Sequence, residues 1–278
     1  MKPASLFAGL LFAVAGIAYG ASGPAVRMEP VDTDPRDVAS LQRGARLFVN
    51  YCLNCHSAKY VRYNRLTDLG LTEAQISGNL VLTGSFLETA EGVRLVPTKL
   101  GETMQVAMRT SDAKDWLNAA PPDLSVESRV RGPQWLYNYL LGFYRDGKSV
   151  TGWNNLVFPN VGMPHALWEL SGTNKLVTTE FPTAHAAEGE AIAKKAIALV
   201  EPTRDGKFLL KTLAIDTPGS MTSAEYRQAS ADLVNFLDYL GEPTKLKRER
   251  IGLVVLLFLG VLFVFVYWLK REYWKELH

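Results

Sequence analysis

Cysteine is nearly absent from this 278-residue chain, and neither sign of charge dominates it. Two cysteines are too few for a disulfide scaffold in an exported domain of this size. Thirty Lys and Arg residues against 28 Asp and Glu residues leave a net charge of +2. Nucleic-acid binding usually needs a clustered basic face, so the charge gives no case for a nucleic-acid partner.

Long apolar runs occur at the two ends of the sequence. Lys2 precedes an apolar run over residues 6–18, and small residues follow it, which is the layout of a secretory signal peptide over residues 1–21. Near the other end, residues 251–269 carry no charge. As a helix this run is roughly 28 Å long, enough to cross a hydrocarbon core of about 30 Å. Tyr267 and Trp268 lie at its far end, as in an interfacial aromatic belt.

These two runs divide the chain into predicted regions. Basic residues flank both sides of the predicted membrane helix, so the positive-inside rule does not orient it, and the signal peptide decides instead. We expect a single-pass protein of the bacterial inner membrane with its folded domain, residues 22–244, in the periplasm. Residues 245–250 form a predicted basic stalk, 251–269 the transmembrane helix and 270–278 a cytoplasmic tail. The predicted domain is mildly acidic.

Both cysteines fall within one pentapeptide, Cys52-Leu53-Asn54-Cys55-His56. This spacing is that of covalent c-type haem attachment. Two thiols must reach the two vinyl groups of one porphyrin to form thioethers, and a His directly after the second Cys is then held under the iron as its proximal ligand. The motif therefore predicts a covalently bound haem c with His56 as an iron ligand.

Three other interpretations of the pentapeptide compete with haem. A thiol-disulfide oxidoreductase normally carries its Cys-x-x-Cys at a helix N-terminus, whereas here an apolar helical pattern, capped at Asp34 and Pro35, ends at Cys52. A structural zinc site needs a second ligand pair, and His165 and His185 are scattered. A simple short-loop disulfide is the third alternative. The haem interpretation is the favoured one.

A His-ligated iron in an electron carrier usually has Met as its other axial ligand. Met163 is the favoured candidate because Gly162 lets the backbone approach closely and Pro164 stiffens the loop. His165, two residues away, competes with it. The other methionines have simpler explanations: Met104 and Met108 pack from a predicted helix over residues 99–109, Met221 precedes a helix capping box formed by Thr222 and Glu225, and Met28 lies in a Pro-flanked stretch near the N-terminus.

The sequence resembles a known family, the cytochrome c1 subunit of the ubiquinol-cytochrome c reductase, or cytochrome bc, complex. The resemblance covers most of the chain. It rests on the haem motif with Ser57 and Tyr60-Val61-Arg62-Tyr63, on Ala120-Pro121-Pro122-Asp123-Leu124-Ser125, on Gly162-Met163-Pro164, and on Asp238-Tyr239-Leu240-Gly241-Glu242-Pro243 directly before the predicted membrane helix.

The resemblance implies one haem c, with Cys52 and Cys55 as thioether anchors and His56 and Met163 as axial ligands. It also implies that Arg131 and Tyr137 lie near a haem propionate, with Arg129 as the competing arginine and Trp116 and Asn118 as further pocket candidates. The implied partners are cytochrome b, a Rieske iron-sulfur protein as electron donor and cytochrome c as acceptor. Quinol oxidation would belong to the partner subunits, so whether the isolated chain counts as an enzyme stays open.

The expected fold is mainly α, a cytochrome c-like haem domain with long loops, plus one C-terminal transmembrane helix. Helices are predicted over residues 134–144 and 223–240, and strand signals are few. The segment 169–220 is longer than in the mitochondrial form, and its pattern suits either a helix or a hairpin. Two other functions stay open: an anchored monohaem cytochrome c that shuttles electrons to a terminal oxidase, and a thiol-disulfide or metal-binding membrane protein.

Overall fold

A computed structural model describes residues 26–106, 108–117, 119–194 and 196–275. The predicted signal peptide over residues 1–21 and the pocket candidate Asn118 lie outside the described residues. Helices hold more of the described residues than strands do, which confirms the mainly α prediction. The α-helices are α1 (Val38–Leu47), α2 (Glu73–Asn79), α3 (Thr110–Leu117), α4 (Glu127–Arg131), α5 (Pro133–Leu141), α6 (Trp168–Ser171), α7 (Ala184–Lys194), α8 (Ser223–Gly241) and α9 (Lys245–Tyr273).

Strands are more numerous among the described residues than the sequence pattern indicates. Most are short, and some of them pair with strands that are distant in sequence. One sheet has the antiparallel order β1-β9-β10-β8, and three two-stranded sheets pair β2 with β5, β3 with β4 and β6 with β7. The strands are β1 (Val26–Arg27), β2 (Ala58–Arg62), β3 (Gly84–Thr89), β4 (Gly92–Pro97), β5 (Thr103–Met104), β6 (Phe143–Arg145), β7 (Trp153–Asn155), β8 (Gly172–Phe181), β9 (Ala198–Pro202) and β10 (Phe208–Pro218).

The main core lies where α1 crosses α8. At Gly44 the two helices come so close that a Cβ would stand 2.1 Å from the Asp232 carbonyl oxygen, so a larger residue would force them apart. Beside this contact the Arg43 guanidinium donates to the buried Asp232 carboxylate, with Nε 2.5 Å from Oδ2. The capping box predicted for α8 is present, with Thr222 and Glu225 as its two members. This packing fixes the helix that leads into the haem motif.

Three of the predicted element boundaries are wrong. The helix expected over residues 99–109 is absent: the chain turns there and Met104 pairs with Ala58 in a two-stranded sheet, since its apolar side chain fills the core from a strand. The α1 helix is capped by Asp37, whose side chain accepts from the Ser40 amide, while Asp34 holds the preceding turn. The helix predicted over residues 134–144 ends at Leu141, because Phe143–Arg145 joins a hairpin.

The segment 169–220 forms both of the structures that the sequence left open. Its long strands β8 and β10 pair from Phe181 opposite Phe208 to Gly172 opposite Pro218, and β9 and β10 form the hairpin. The helix α7 packs Ala187 and Ala191 against this sheet. The sheet adjoins β6, where the Asn174 side chain donates to the Phe143 carbonyl oxygen at 3.1 Å. The segment therefore buttresses the part of the domain that carries Met163.

The C-terminal helix α9 is the one described helix long and apolar enough to cross a membrane. Its most apolar window has a mean hydropathy of 2.8, and no residue of that window is buried. The helix is continuous from Lys245 to Tyr273, so the residues of the predicted basic stalk form its first turns. Apolar side chains exposed all around a helix are what a lipid environment stabilises, and α9 is a single-pass membrane anchor.

Candidate functional site

The haem motif lies where the first helix ends. A π-helical turn, Phe48–Cys52, follows α1, and such turns often occur at functional sites. The chain then reverses, because the Cys52 carbonyl oxygen accepts from the amides of both Cys55 and His56, at 3.0 and 2.8 Å. This turn leaves Cys55 exposed and His56 half-buried. The prediction that the cysteines fall at the end of a helix is confirmed.

The environment of the thiols opposes a redox role for them. Burial raises the pKa of the Cys52 thiol to about 12, and burial also raises the pKa of Cys55. A disulfide oxidoreductase needs the opposite, a thiolate stabilised at neutral pH. Within the part of the chain that the structure describes, no group of three or more His, Cys, Asp or Glu side chains is placed to hold a metal ion.

The His56 ring is oriented by a distant loop. Its Nδ1 lies 2.8 Å from the carbonyl oxygen of Pro122. A hydrogen bond of this kind, in which Nδ1 donates, fixes the tautomer of a metal-binding histidine and leaves Nε2 free with its lone pair. Burial lowers the pKa of His56, while the bond to Pro122 and the carboxylates of Glu127 and Asp123 oppose that shift. The imidazole is therefore neutral at neutral pH, which is the form that binds iron.

The same loop is fastened to the strand after the haem motif by three more hydrogen bonds. The Leu124 amide donates to the Ser57 carbonyl oxygen at 2.8 Å. The Asp123 carboxylate accepts from the Lys59 amide at 3.0 Å, and the Ser125 hydroxyl accepts from the Tyr60 amide at 3.1 Å. Two sequence motifs separated by about sixty residues thus form one structural unit (Pro122 and His56 are 66 apart). The Pro-Pro-Asp-Leu-Ser segment serves to hold the histidine.

Met163 lies in a loop beside a cluster of aromatic side chains. It packs against Phe143, Trp153 and Val161, which are buried, and against Tyr139. The Tyr139 hydroxyl donates to the Met163 sulfur, with Oη 3.4 Å from Sδ. Burial raises the pKa of Tyr139 to about 12, so its hydroxyl keeps its proton at neutral pH. The sulfur is thus positioned by a permanent hydrogen-bond donor.

Two consecutive buried asparagines brace the Met163 loop. The Asn155 amide group donates to the Tyr139 carbonyl oxygen at 2.8 Å, and its Oδ1 accepts from the Val157 amide at 2.9 Å. The Asn154 Oδ1 accepts from the amide of Asn160, a residue at φ 61°, at 2.8 Å. The sequence analysis missed both asparagines. Adjacent amides between the apolar residues Trp153 and Leu156 were the available signal, since buried polar groups are almost always hydrogen-bonded.

His165, the competitor of Met163, is a buried core residue. Only 2% of its surface is exposed, and its ring stacks on Phe143 with the centroids 4.7 Å apart. Its Nε2 lies 2.8 Å from the Ser171 hydroxyl, which itself donates to the Gly172 carbonyl oxygen, so Nε2 is the donor of this pair. Burial lowers the pKa of His165 to about 4. These contacts favour Met163 as the available ligand.

The other methionines have structural surroundings. Met104 is fully buried in the main core, and Met221 packs against the same core. Met108 and Met28 are half-buried. The stretch that contains Met28 is tied to the domain, because the neighbouring Glu29 pairs with Arg227 at 3.0 Å and its amide donates to Asn138 at 2.7 Å.

The structure places Arg131 and Tyr137 on different sides of α5. The Arg131 guanidinium lies 4.9 Å from the centroid of Trp135 and 6.0 Å from that of Phe158, and its Nε is 3.3 Å from Glu127. Trp135 stacks on Tyr139 at 5.0 Å, so this side of α5 leads from Arg131 to Met163. The sequence analysis missed Trp135, Tyr139 and Phe158; their positions at i, i+4 on a helix and in the neighbouring loop were the only signal.

Tyr137 faces away from that aromatic stack. It is 5% exposed, and burial, together with the nearby Glu29 carboxylate, raises its pKa, while Arg227 opposes the shift. The competing arginine, Arg129, pairs with Glu242 after α8 at 3.0 Å. The further pocket candidate Trp116 is 71% exposed on α3. Of the residues predicted to lie near a haem propionate, Arg131 is the one that contacts the aromatic stack leading to Met163.

The donor set fits a c-type haem. Two thiols, one neutral imidazole with a free nitrogen and one thioether are the groups that such a haem uses. Three large apolar side chains are exposed on α4 and beside it: Val126, Val130 and Phe158, at 38%, 69% and 44%. Glu127 of the same helix interacts with His56, and Arg131 covers Phe158. Exposed apolar side chains of this kind are what the face of a porphyrin would cover.

Comparison with known proteins is consistent with this arrangement. The model of the Cytochrome C1 family matches residues 32–277. The chain is 40% identical to a cytochrome c1 of Allochromatium vinosum, covering 93% of each chain. It is 39% identical to a protein of Nitrosomonas europaea named ammonia monooxygenase gamma subunit, covering 92% of each, and 27% identical to a cytochrome c1 of Rhodospirillum rubrum, covering 99% of this chain and 97% of that one. The chain belongs to the cytochrome c1 family.

Proposed function

We propose that this member of the cytochrome c1 family is the haem electron-transfer subunit of a ubiquinol-cytochrome c reductase complex. It would accept one electron from a Rieske iron-sulfur protein and pass it to cytochrome c. The observation that carries the proposal is the pairing of His56 with the Pro122 carbonyl oxygen directly after two thiols at haem-attachment spacing. Quinol oxidation would be carried out by partner subunits, with cytochrome b among them.

One haem c would be held by thioether bonds to Cys52 and Cys55, with His56 and Met163 as the two axial ligands. When bound, the haem supplies a one-electron iron couple whose potential its axial ligands and surroundings set. Pro122 keeps the His56 ring in one tautomer, and Tyr139 keeps the Met163 sulfur in one place. Arg131 would neutralise a propionate, while the role predicted for Tyr137 stays a prediction.

The connection between the domain and its anchor supports a docked subunit over a mobile shuttle. The helix α8 ends at Gly241 and α9 begins at Lys245, so no long linker separates them. Glu242 between them pairs with Arg129 at 3.0 Å and also with Arg248, and Lys245 lies 3.9 Å from Asp238. A shuttle to a terminal oxidase would need a flexible tether. This short, ion-paired joint disfavours that second function.

The domain would lie on the periplasmic side of the bacterial inner membrane. Covalent haem attachment requires two free thiols in an exported protein, and residues 1–21 have the layout of a signal peptide. On this proposal residues 22–244 form the periplasmic domain, and the basic and aromatic residues from Lys270 onward lie at the cytoplasmic face of the anchor.

The test is a spectrum of the protein purified from its native membranes in mild detergent through a C-terminal tag. The proposal expects a c-type band in the reduced-minus-oxidised spectrum, accompanied by b-type haem from a co-purifying subunit. A c-type band alone would favour the shuttle, and no haem band would overturn both. A Cys52→Ala, Cys55→Ala double variant serves as control, since it must lose haem that survives denaturing gel electrophoresis.

A further inference from the structure

A cleft of about 310 Å³ lies where the folded domain meets the first turns of the membrane helix. Nothing in the proposed electron transfer uses it. Arg36, from the turn before α1, forms its domain side. Four residues of α9 form the other side: Leu246, Glu249, Arg250 and Leu253. Their spacing at i, i+3, i+4 and i+7 puts them on one face of the helix.

The two arginines of the cleft differ from three of the other basic residues at this joint. Arg129 and Arg248 both pair with Glu242, and Lys245 lies 3.9 Å from Asp238. Among the described residues, neither Arg36 nor Arg250 has a carboxylate within salt-bridge distance. Glu249 is the single acidic residue of the lining, so the cleft keeps a net positive charge. A guanidinium without a carboxylate partner is suited to bind a phosphate.

The position of the cleft along α9 defines its depth in the membrane. Arg250 directly precedes the uncharged run over residues 251–269, and Leu253 is one turn further along. The boundary between charged and apolar side chains on a membrane helix marks the level of the lipid headgroups. The cleft therefore offers cationic groups at headgroup level, and Leu253, which is 61% exposed, at the level of the first acyl carbons.

We propose that this cleft binds the phosphate of an anionic phospholipid from the leaflet on the side of the folded domain. Arg36 and Arg250 donate to the phosphate oxygens, and Leu246 and Leu253 contact the acyl chain. Because Arg36 belongs to the domain and Arg250 to the anchor, one headgroup bound by both holds the domain at a fixed height and angle on the membrane. The proposal requires that α9 is a membrane anchor, and it is independent of the haem.

The test measures lipid retention by the full chain, purified from native membranes together with its bound partners. Samples are reconstituted in nanodiscs of phosphatidylcholine containing phosphatidylglycerol and then released into detergent. Native mass spectrometry measures which lipids stay bound to the protein. We expect an Arg36→Gln, Arg250→Gln variant to retain at least about tenfold less phosphatidylglycerol than the wild type, since each basic residue at a membrane surface contributes severalfold to the binding of anionic lipid.

The matched control is Lys245→Gln, Arg248→Gln, which removes the same charge from the same joint outside the cleft. This variant must retain phosphatidylglycerol nearly as well as the wild type; an equal loss in both variants would mean a diffuse electrostatic field and would overturn the proposal. Circular dichroism of both variants shows whether the chain is folded, and Arg36→Lys, Arg250→Lys gives a version that keeps the charge in case the glutamines prevent folding.

Inorganic phosphate distinguishes the two sources of the same anion. It is added at millimolar concentration to the lipid-loaded protein before the mass measurement. The proposal expects phosphatidylglycerol to stay bound, because Leu246 and Leu253 contribute contacts that free phosphate lacks. Complete displacement of the lipid by phosphate, or equal retention of phosphatidylcholine and phosphatidylglycerol, would overturn it.

Discussion

The two sides of the haem site are built in different ways. On the side of His56, one short motif carries both thiols and the ligand, and a single loop at Pro122 orients the ring. On the side of Met163, the sulfur contacts Tyr139 of α5 and an aromatic cluster, and two consecutive asparagines of β7 brace its loop. A histidine next to two haem-attaching cysteines would need little scaffold, whereas a thioether ligand from a distant loop would have to be held in place by packing.

His165→Ala tests whether the scaffold of the Met163 side is distinct from its ligand. Removing this buried, stacked ring leaves a cavity and takes one hydrogen bond from the Ser171 hydroxyl, so we expect the free energy of unfolding to fall by about 3 kcal/mol. The far-red absorption band of a methionine-ligated ferric haem should stay. Chemical unfolding followed by circular dichroism measures the first effect, and the absorption spectrum measures the second.

Met163→Ala is the matched control for that substitution. It should abolish the far-red band with a smaller loss of stability, because Met163 is half-buried. If His165→Ala abolished the band and Met163→Ala left it, His165 would be the iron ligand and Met163 a packing residue.

Asp123→Ala tests how much the His56 side depends on its single loop. The carboxylate accepts from the amides of Lys59 and Ser125, at 3.0 and 2.9 Å. Losing two bonds to a half-buried charged acceptor should cost about 2 kcal/mol. Hydrogen exchange at Lys59 should speed up accordingly, and Asp123→Asn, which keeps one acceptor oxygen, should lose less. Unchanged exchange in the alanine variant would mean that the His56 side needs no loop.

The difference between the two sides explains what the sequence could predict. Cys52, Cys55 and His56 could be predicted as haem residues from spacing alone, because all three lie within one pentapeptide. The membrane helix and the end of α1 at the motif are likewise local patterns. The partners that hold His56 are not local: nothing in the chemistry of Pro122 indicates that its carbonyl oxygen lies against a ring 66 residues away.

The errors arose where packing overrides local pattern. Met104 has helical spacing to Met108, yet it lies in a strand, where it pairs with Ala58. The local pattern does not show this pairing because Ala58 is far away in the sequence. Tyr137 and Tyr139 are the same residue type on the same helix, so the sequence does not distinguish them. The orientation of α5 about its axis decides that Tyr139 is the one that reaches Met163. Segment 169–220 has short patterns that suit a helix and a hairpin, and it contains both because a sheet needs a helix to cover its face.

Tyr139→Phe would sharpen the contrast within the Met163 side. The hydroxyl directs the positive end of its dipole toward the Met163 sulfur. If Met163 ligates the iron, this dipole disfavours the oxidised, more positive state. Removing it should destabilise the reduced state relative to the oxidised state by about 1 kcal/mol, which lowers the midpoint potential by about 40 mV for one electron. Redox titration of the purified protein measures the shift.

Tyr137→Phe provides the control two residues away on the same helix. Tyr137 faces Glu29 and Arg227 rather than Met163, so the same loss of a hydroxyl should leave the potential unchanged. A shift in the Tyr137 variant equal to that in the Tyr139 variant would place Tyr137 at the haem, as the family resemblance implies, and would remove the distinction between the two sides of α5.

Arg131→Gln gives the smallest expected change in stability, because its partner Glu127 is an i, i+4 neighbour and the arginine side chain is 45% exposed. Such a pair contributes about 0.3–0.5 kcal/mol. If Arg131 pairs with a propionate, the variant should also raise the pKa of that propionate and make the midpoint potential depend more strongly on pH. Arg129→Gln, which breaks a comparable pair with Glu242, should change neither the potential nor its pH dependence. Because Arg131 follows the loop that holds His56 and contacts the aromatic stack that leads to Met163, a shift confined to its variant would identify the residue at which the two sides of the site meet.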